Sequence, residues 1–127
     1  MDAVRVRYIV DDIDSAVDFY TRRLAFDERM RPGPGFAMLQ RGPLRLLLNT
    51  PAGGGGAGQQ MPDGDLPEPG GWNRFQIEVD DLDKIIADLR HARATFRSDI
   101  ITGKGGWQIL LEDPAGNLIE LFEPVPG

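Results

Sequence analysis

The sequence of 127 residues has no cysteine, a single histidine and no long run of apolar residues. Without thiols the chain can form neither disulfides nor thiolate metal sites, and it has no cysteine nucleophile. Its longest apolar runs, such as residues 46–48, are far shorter than the roughly 20 residues of a membrane-spanning helix. The N-terminus lacks the basic-then-apolar pattern of a signal peptide, so we expect a cytoplasmic protein without a membrane partner.

Positive charge is also scarce. Lys and Arg total 14 against 20 Asp and Glu, which gives a net charge of -6 at pH 7. Such a chain repels a phosphate backbone, so we expect no nucleic-acid partner, and a cationic or neutral small molecule suits it better. Hydrophobic residues make up 41% and charged residues 27%, which is ordinary globular composition and predicts one domain over residues 1–127.

Glycine and proline are concentrated in the middle of the chain. Residues 51–71 read PAGGGGAGQQMPDGDLPEPGG, with eight glycines and four prolines. Ordering glycine is entropically unfavourable and proline removes a hydrogen-bond donor, so this composition predicts no helix or strand. We interpret the segment as a flexible linker, and a lid over a binding site is the alternative.

The two halves on either side of this segment resemble each other. VRVRYIVDDIDSAVDFYTRRLAF at 4–26 aligns with NRFQIEVDDLDKIIADLRHARATF at 73–96. In each, alternating apolar residues predict a strand, and apolar residues at helical spacing then predict an amphipathic helix. The acidic residues that precede the helices, led by Asp12 and Asp81, suit helix N-termini.

Further strands are predicted after each helix. The runs GFAMLQRG and PLRLLLN follow the first helix, and two strands joined by the turn signal DPAGN follow the second. Neither helix ends at a glycine. If Ala25 and Arg93 adopt the left-handed conformation there, each costs on the order of 1 kcal/mol relative to glycine.

The doubled pattern resembles the vicinal oxygen chelate superfamily. The first half carries V-x-D-x-x-x-x-x-x-F-Y-x-x-x-L and the second closes with DPAGNLIELFEP. That superfamily includes glyoxalase I, extradiol dioxygenases, fosfomycin-inactivating enzymes and bleomycin-resistance proteins. The resemblance implies an α+β fold in which two tandem βαβββ modules, at about 1–50 and 72–127, form a curved mixed sheet around a cleft.

The same resemblance places four metal-ligand positions at Arg5, Arg74, Glu120 and either Leu46 or Leu47. A guanidinium offers no lone pair and leucine offers no donor, so only Glu120 is competent. One carboxylate cannot hold Zn²⁺, Ni²⁺ or Fe²⁺ in a three- or four-ligand site. We therefore expect no metal, no cofactor and no catalytic residue.

A period of two along the strands places Arg5 and Arg7 on the wall of the implied cleft, and Arg74 and Gln76 likewise. Aromatic and apolar side chains would complete such a cleft. The residues predicted to contact a ligand are Arg5, Arg7, Phe36, Met38, Trp72, Arg74, Gln76, Trp107, Glu120 and Phe122.

Two of these assignments have structural alternatives. Arg5 and Arg74 can form an internal ion pair with Glu120 that substitutes for the metal. The two tryptophans, Trp72 and Trp107, can instead cover an edge of the core.

The resemblance to bleomycin-resistance proteins implies a function without chemistry. It is stoichiometric sequestration of a bulky aromatic or glycopeptide drug, of bleomycin or enediyne type, in clefts of a homodimer. One alternative is a lyase, isomerase or dioxygenase, either dependent on a metal or using Glu120 or Glu78 as a general base. Another is an interaction module in which residues 51–71 recruit a partner.

Overall fold

The chain divides into two compact units, each with one helix and one sheet. In the computed structural model, residues 3–53 and 56–127 are described. Unit one comprises Met1–Gly70 with Pro114–Asn117, and unit two comprises Gly71–Asp113 with Leu118–Gly127. The α+β class predicted from the sequence is confirmed.

Unit one has a four-stranded mixed sheet in the order β1-β4-β3-β2. The outer strand β1 is parallel to β4, and the remaining pairs are antiparallel. The elements are β1 (Val4–Ile9), α1 (Ile13–Arg23), β2 (Asp27–Gly33), β3 (Phe36–Arg41) and β4 (Leu44–Asn49).

Alternation along these strands gives the sheet two unlike faces. The helix face is buried, and helix α1 contributes Ile13, Ala16, Val17 and Tyr20 to the same core. The strand residues of this face are Tyr8, Ala37, Leu39, Leu46 and Leu48. The other face, which we call the arginine face, carries Arg5, Arg7, Phe36, Met38, Arg45, Leu47 and Asn49.

Unit two has a five-stranded sheet in the order β5-β9-β8-β6, with β7 also paired to β8. Strand β5 is parallel to β9, and the other pairs are antiparallel. The elements are β5 (Phe75–Glu78), α2 (Leu82–His91), β6 (Thr95–Phe96), β7 (Ile101–Thr102), β8 (Gly106–Glu112) and β9 (Leu118–Pro124).

The helix face of unit two contains the apolar core. Its buried strand and helix residues are Ile77, Ile86, Leu89, Ile109, Leu111, Ile119 and Leu121. The backbone N–H of Leu82 at the start of α2 donates to Glu123 Oε1 on this face at 2.8 Å. The other face, which we call the Glu120 face, carries Gln76, Leu110, Glu120 and Phe122.

Both predicted helix starts are confirmed. Asp12 accepts a hydrogen bond from the backbone N–H of Asp14 at 3.1 Å, and Asp81 accepts one from Lys84 at 3.1 Å. Both helices are followed by left-handed residues that are not glycine, Ala25 at φ 59° and Arg93 at φ 63°. The backbone is therefore locally strained just after the C-terminus of each helix.

The predicted strands around GFAMLQRG, PLRLLLN and DPAGN are also confirmed. The βαβββ modules implied by the resemblance include one further strand after each helix, but no residue pattern located β2, β6 or β7. Strand β2, with sequence DERMRPG, is too charged to show an apolar period of two, and it lies at a sheet edge where both faces are exposed. Strands β6 and β7 have two residues each, which is too short for any periodicity.

The described part of residues 51–71 contains turns and no helix or strand, as its composition predicts. None of the helices in the described ranges is both long and apolar enough to cross a membrane.

Candidate functional site

A buried carboxylate lies at the centre of the Glu120 face. Glu120 is only 9% exposed. Arg74 donates to its Oε1 from Nε at 3.0 Å and from Nη2 at 2.9 Å, and Gln76 donates to Oε2 at 2.5 Å. Both carboxylate oxygens are therefore occupied by N–H donors from the same chain.

The strand register explains this cluster. Strand β5 runs parallel to β9 with Gln76 directly opposite Glu120, and Arg74 precedes Gln76 by two residues and so points to the same face. The ion pair between Arg74 and Glu120 that the sequence suggested is present. Arg74 retains 29% of its side-chain exposure, so water also reaches this pair.

Unit one contains a cavity of about 740 Å³. Its walls are mostly apolar, with Phe36, prolines and glycines, and its polar side chains are Arg7, Asn49 and Thr50. The lining residues are Arg7, Pro32, Gly33, Pro34, Gly35, Phe36, Asn49, Thr50, Pro51, Ala52, Gly53 and Gly56. Two residues predicted from the sequence, Arg7 and Phe36, are thus brought together in one cavity.

The glycine-rich segment forms one wall of this cavity through backbone hydrogen bonds. Thr50 N–H donates to the Gly35 carbonyl at 3.1 Å, and Ala52 N–H donates to the Gly58 carbonyl at 2.5 Å. A Cβ at Gly53 would collide with Thr50 Oγ1, and a Cβ at Gly58 would collide with the Thr50 carbonyl oxygen. Close backbone approach therefore requires glycine at both positions.

One protein-family model matches most of the chain. The Glyoxalase/Bleomycin resistance protein/Dioxygenase superfamily model matches residues 3–121. The chain belongs to this superfamily. No curated protein matches the sequence significantly.

Solved structures share the fold of this superfamily member at low sequence identity. Lactoylglutathione lyase from Agrobacterium tumefaciens is 20% identical with a TM-score of 0.73, over 96% of this chain and 92% of that one. TnmS3, an antibiotic binding protein from Streptomyces sp. CB03234, is 23% identical with a TM-score of 0.73, over 98% and 96%. A superfamily member from Sphaerobacter thermophilus is 23% identical with a TM-score of 0.76, over 97% of each chain.

The side chains at the superfamily's metal positions do not fit a divalent cation in this member. Arg7 on β1 and Gln76 on β5 are equivalent positions of the two units. Arg7 pairs with Leu47 on β4, and Gln76 pairs with Glu120 on β9, so Leu47 is the counterpart of Glu120. Across residues 3–53 and 56–127, no group of three His, Cys, Asp or Glu side chains could hold a metal ion. Glu120 itself is bound by a guanidinium, which repels a cation.

Three other predicted site residues lie on the expected faces but outside the cavity lining. Arg5 is on the arginine face opposite Arg45, and Met38 is on the same face opposite Leu47. Phe122 is half-buried on the Glu120 face, opposite Gln108.

The two tryptophans are placed differently from each other. Trp72 is 63% exposed, and the Arg97 guanidinium carbon lies 4.8 Å from the centre of its ring. On β8 the side chains of Trp107 and Gln108 point to opposite faces of the sheet. Trp107 pairs with Glu123 on the helix face, whereas Gln108 pairs with Phe122 on the Glu120 face. Trp107 and Glu120 therefore lie on opposite faces of the sheet, because a one-residue step along a strand reverses the face.

Trp107 instead borders a second hollow, of about 390 Å³, which also touches Leu82 at the start of α2. This position agrees with the alternative in which the side chain covers an edge of the core. The sequence did not identify Asn49, Thr50 or the glycine wall as cavity residues. The only local signal was the unusual density of glycine, which also fits an ordinary linker.

Proposed function

We propose that this superfamily member binds a bulky aromatic or glycopeptide drug, of bleomycin or enediyne type, without a metal, and protects its host by sequestration. The observation that carries the proposal is the cavity of about 740 Å³ in unit one. Its size lies within the range of roughly 300–1,000 Å³ found for small-molecule sites. The antibiotic-binding description of its structural neighbour TnmS3 supports the same class of ligand.

The character of the walls supports binding of a flat, largely apolar molecule. Phe36 offers an aromatic face, and Pro32, Pro34 and Pro51 offer rigid apolar surfaces that lose little entropy on binding. A few polar groups, led by Arg7, can orient the ligand.

The Glu120 cluster supports binding without chemistry. A general base needs an accessible carboxylate oxygen within hydrogen-bond reach of its substrate. Both oxygens of Glu120 are already engaged by Arg74 and Gln76. A reaction at this carboxylate would first require the loss of those hydrogen bonds.

We also propose that the protein is a cytoplasmic homodimer with clefts lined by both protomers. The exposed apolar side chains of Val4 and Met30, on the two edge strands of the unit-one sheet, support self-association. Light scattering on the purified protein tests the dimer, and a monomer at micromolar concentration would contradict it.

Calorimetric titration with a panel of bleomycin, anthraquinone and enediyne compounds tests the binding function. We expect one ligand per chain, unchanged ligand by mass spectrometry after incubation, and protection of a sensitive host on expression. Failure of every compound to bind, together with unchanged host sensitivity, would overturn the proposal.

A cavity-filling variant makes this test specific. A Cβ at Gly33 meets no atom within 4 Å, and Gly33 lines the cavity, so Gly33→Phe places a ring in the empty space. We expect it to abolish binding and protection. Gly103→Phe is the matched control, because Gly103 lies in unit two and its Cβ would meet only Gly106 at 3.8 Å.

A further inference from the structure

Three arginines share the arginine face of unit one. Arg5 and Arg45 are directly opposite each other on β1 and β4, and Arg7 follows two residues along β1. Strands β1, β3 and β4 contain no acidic residue. We call Arg5, Arg7 and Arg45 the arginine strip.

No carboxylate within the described ranges lies within ion-pair distance of the arginine strip. Arg31, on β2 of the same sheet, shows the usual arrangement, since it contacts Asp14 and Glu28 at 2.6 Å each. The Glu28 and Asp14 carboxylates raise the pKa of the Arg31 guanidinium. In a protein with a net charge of -6, these three guanidinium groups therefore keep a positive charge that no carboxylate of residues 3–53 and 56–127 neutralises.

Unit two contains an arginine–carboxylate ion pair at the position where unit one has an arginine and a leucine. Arg74 occupies the strand position equivalent to Arg5, and Glu120 neutralises it. At the position equivalent to Glu120, unit one has Leu47, which is 6% exposed. The internal counter-ion present in one repeat is therefore absent from the other, and the positive charge remains available to a ligand.

Arg7 is the member of the arginine strip that lines the unit-one cavity. Its Nη1 donates to Oδ1 of Asn49 at 2.5 Å, and Asn49 is only 1% exposed, so it holds the guanidinium in place. No hydrogen bond from Arg7 Nε or Nη2 occurs within residues 3–53 and 56–127. A fixed guanidinium with free N–H groups matches the two oxygens of a carboxylate.

We propose that the ligand of the unit-one cavity is an acidic aromatic compound, whose carboxylate binds Arg7 while its planar body packs against Phe36 and the proline and glycine walls. This inference rests on the proposed function, since it identifies the chemical class of the ligand. Arg5 and Arg45 contribute positive potential along the same face.

The overall negative charge favours cationic or neutral ligands at long range, but the contact surface is locally positive. Direct charge-assisted hydrogen bonds to the Arg7 guanidinium outweigh the repulsion of distant, screened charges. Among the proposed drugs, the strip therefore favours acidic aromatic compounds over a cationic glycopeptide.

Matched pairs of ligands test this inference by calorimetry. The probes are anthraquinone-2-carboxylate and pyrene-1-carboxylate, each compared with its neutral amide. We expect each acid to bind at least about tenfold more tightly than its amide. Arg7→Gln removes this difference by weakening the acid alone, and Arg7→Lys retains part of it because charge remains without the planar fork.

Two further variants sharpen the test. Arg23→Gln is the control, because Arg23 is an exposed arginine at the end of α1 and is not among the described lining residues of the unit-one cavity, and we expect wild-type affinities. Leu47→Glu supplies the carboxylate that Glu120 provides in unit two, and we expect it to weaken acid binding. Circular dichroism checks its folding, and the Arg7 variants test the inference even if Leu47→Glu unfolds.

The outcomes of these titrations distinguish failure of the acidic-ligand inference from failure of the proposed function. Equal affinity for acid and amide, or equal loss of both in Arg7→Gln, overturns the acidic-ligand inference while binding in the cavity stands. Failure of all four probes and of the whole drug panel overturns the proposed function and the inference together. Selective loss of the acids in Arg7→Gln, with wild-type behaviour of Arg23→Gln, supports both.

Discussion

Arg74 donates twice to a single oxygen of Glu120, from Nε at 3.0 Å and from Nη2 at 2.9 Å. This geometry leaves the second oxygen to Gln76. A carboxylate that is largely removed from water thus retains hydrogen bonds on both oxygens, as a buried charge requires. The cluster stabilises unit two at Glu120, the one position that the family resemblance assigns to a metal ligand and that carries a competent donor.

Removing the arginine from this pair should destabilise the protein. Arg74→Met leaves Glu120 buried with Gln76 alone, and we expect a loss of about 1–2 kcal/mol in the free energy of unfolding, reduced because water reaches Arg74. The double variant with Arg74→Met and Glu120→Leu should recover most of this loss, because it reproduces the apolar Leu47 of unit one. Urea denaturation measures both.

Arg22→Met is the control for this pair. Arg22 contacts Asp18 on the surface at 2.7 Å, with both side chains more than half exposed, and its loss should change stability by less than about 0.5 kcal/mol. A double variant as unstable as Arg74→Met alone would show that Glu120 has a role beyond this pair.

Chelation should leave the protein unchanged. Glu120 is bound by a guanidinium and its counterpart is Leu47, so the side chains of residues 3–53 and 56–127 provide no adequate set of metal ligands. We expect dialysis against a chelator to change neither the melting temperature nor ligand affinity, and added Zn²⁺ or Ni²⁺ to raise neither. Elemental analysis with calorimetry measures this. A stoichiometric metal whose removal abolishes ligand binding would contradict it.

Adding one methyl group at Gly53 or Gly58 should disrupt the backbone packing of the glycine-rich cavity wall. Gly53→Ala and Gly58→Ala each place a Cβ against Thr50, and we expect each to lower the free energy of unfolding by about 1–3 kcal/mol and to weaken ligand binding. Urea denaturation and calorimetric titration measure the two effects.

Gly56, in the same wall, provides the control for these two substitutions. A Cβ at Gly56 meets no atom within 4 Å although Gly56 lines the cavity, so Gly56→Ala should preserve stability and binding. If Gly53→Ala and Gly58→Ala behave like Gly56→Ala, the segment is not a packed wall.

Glycine should relieve the strain at both helix exits. Ala25→Gly and Arg93→Gly replace left-handed residues, and we expect each to raise the free energy of unfolding by up to about 1 kcal/mol. Ala87→Gly, in the exposed interior of α2, should instead lower it by about 1 kcal/mol. Chemical denaturation measures all three, and destabilisation by Ala25→Gly would show that this side chain contributes packing that exceeds its strain.

Much of the fold was predictable because its signals are local. The repeated V-D-D motif, the caps at Asp12 and Asp81 and the left-handed positions at Ala25 and Arg93 depend only on near neighbours in sequence. The βαβββ pattern implied strand β2, but its residues were not located because an edge strand exposed on both faces needs no apolar alternation. Its formation depends on hydrogen bonds from β3, which no local pattern reveals.

The candidate site was only partly predictable. Arg74, Gln76 and Glu120 were grouped correctly because strand alternation and the family positions agree. Two placements of Trp107 stayed open, against a ligand or over an edge of the core, because its face depends on where β8 begins and a shift of one residue reverses it. The cavity wall at residues 50–53 and Gly56 depends on backbone contact between Thr50 and Gly35 in the β2–β3 turn, which amino-acid composition does not reveal.

The sequence by itself determined both helices, the strands with regular apolar alternation, their repetition and the faces of Arg5, Arg7 and Arg74, because period and capping arise from neighbouring residues. Only the tertiary structure decided the partner of each arginine. Arg74 meets Glu120 across 46 positions of the chain, whereas Arg7 meets Asn49 across 42 positions and has Leu47 where an acid would neutralise it. The pairing register of distant strands sets these contacts, and with them which charge is neutralised internally and which stays available to a ligand.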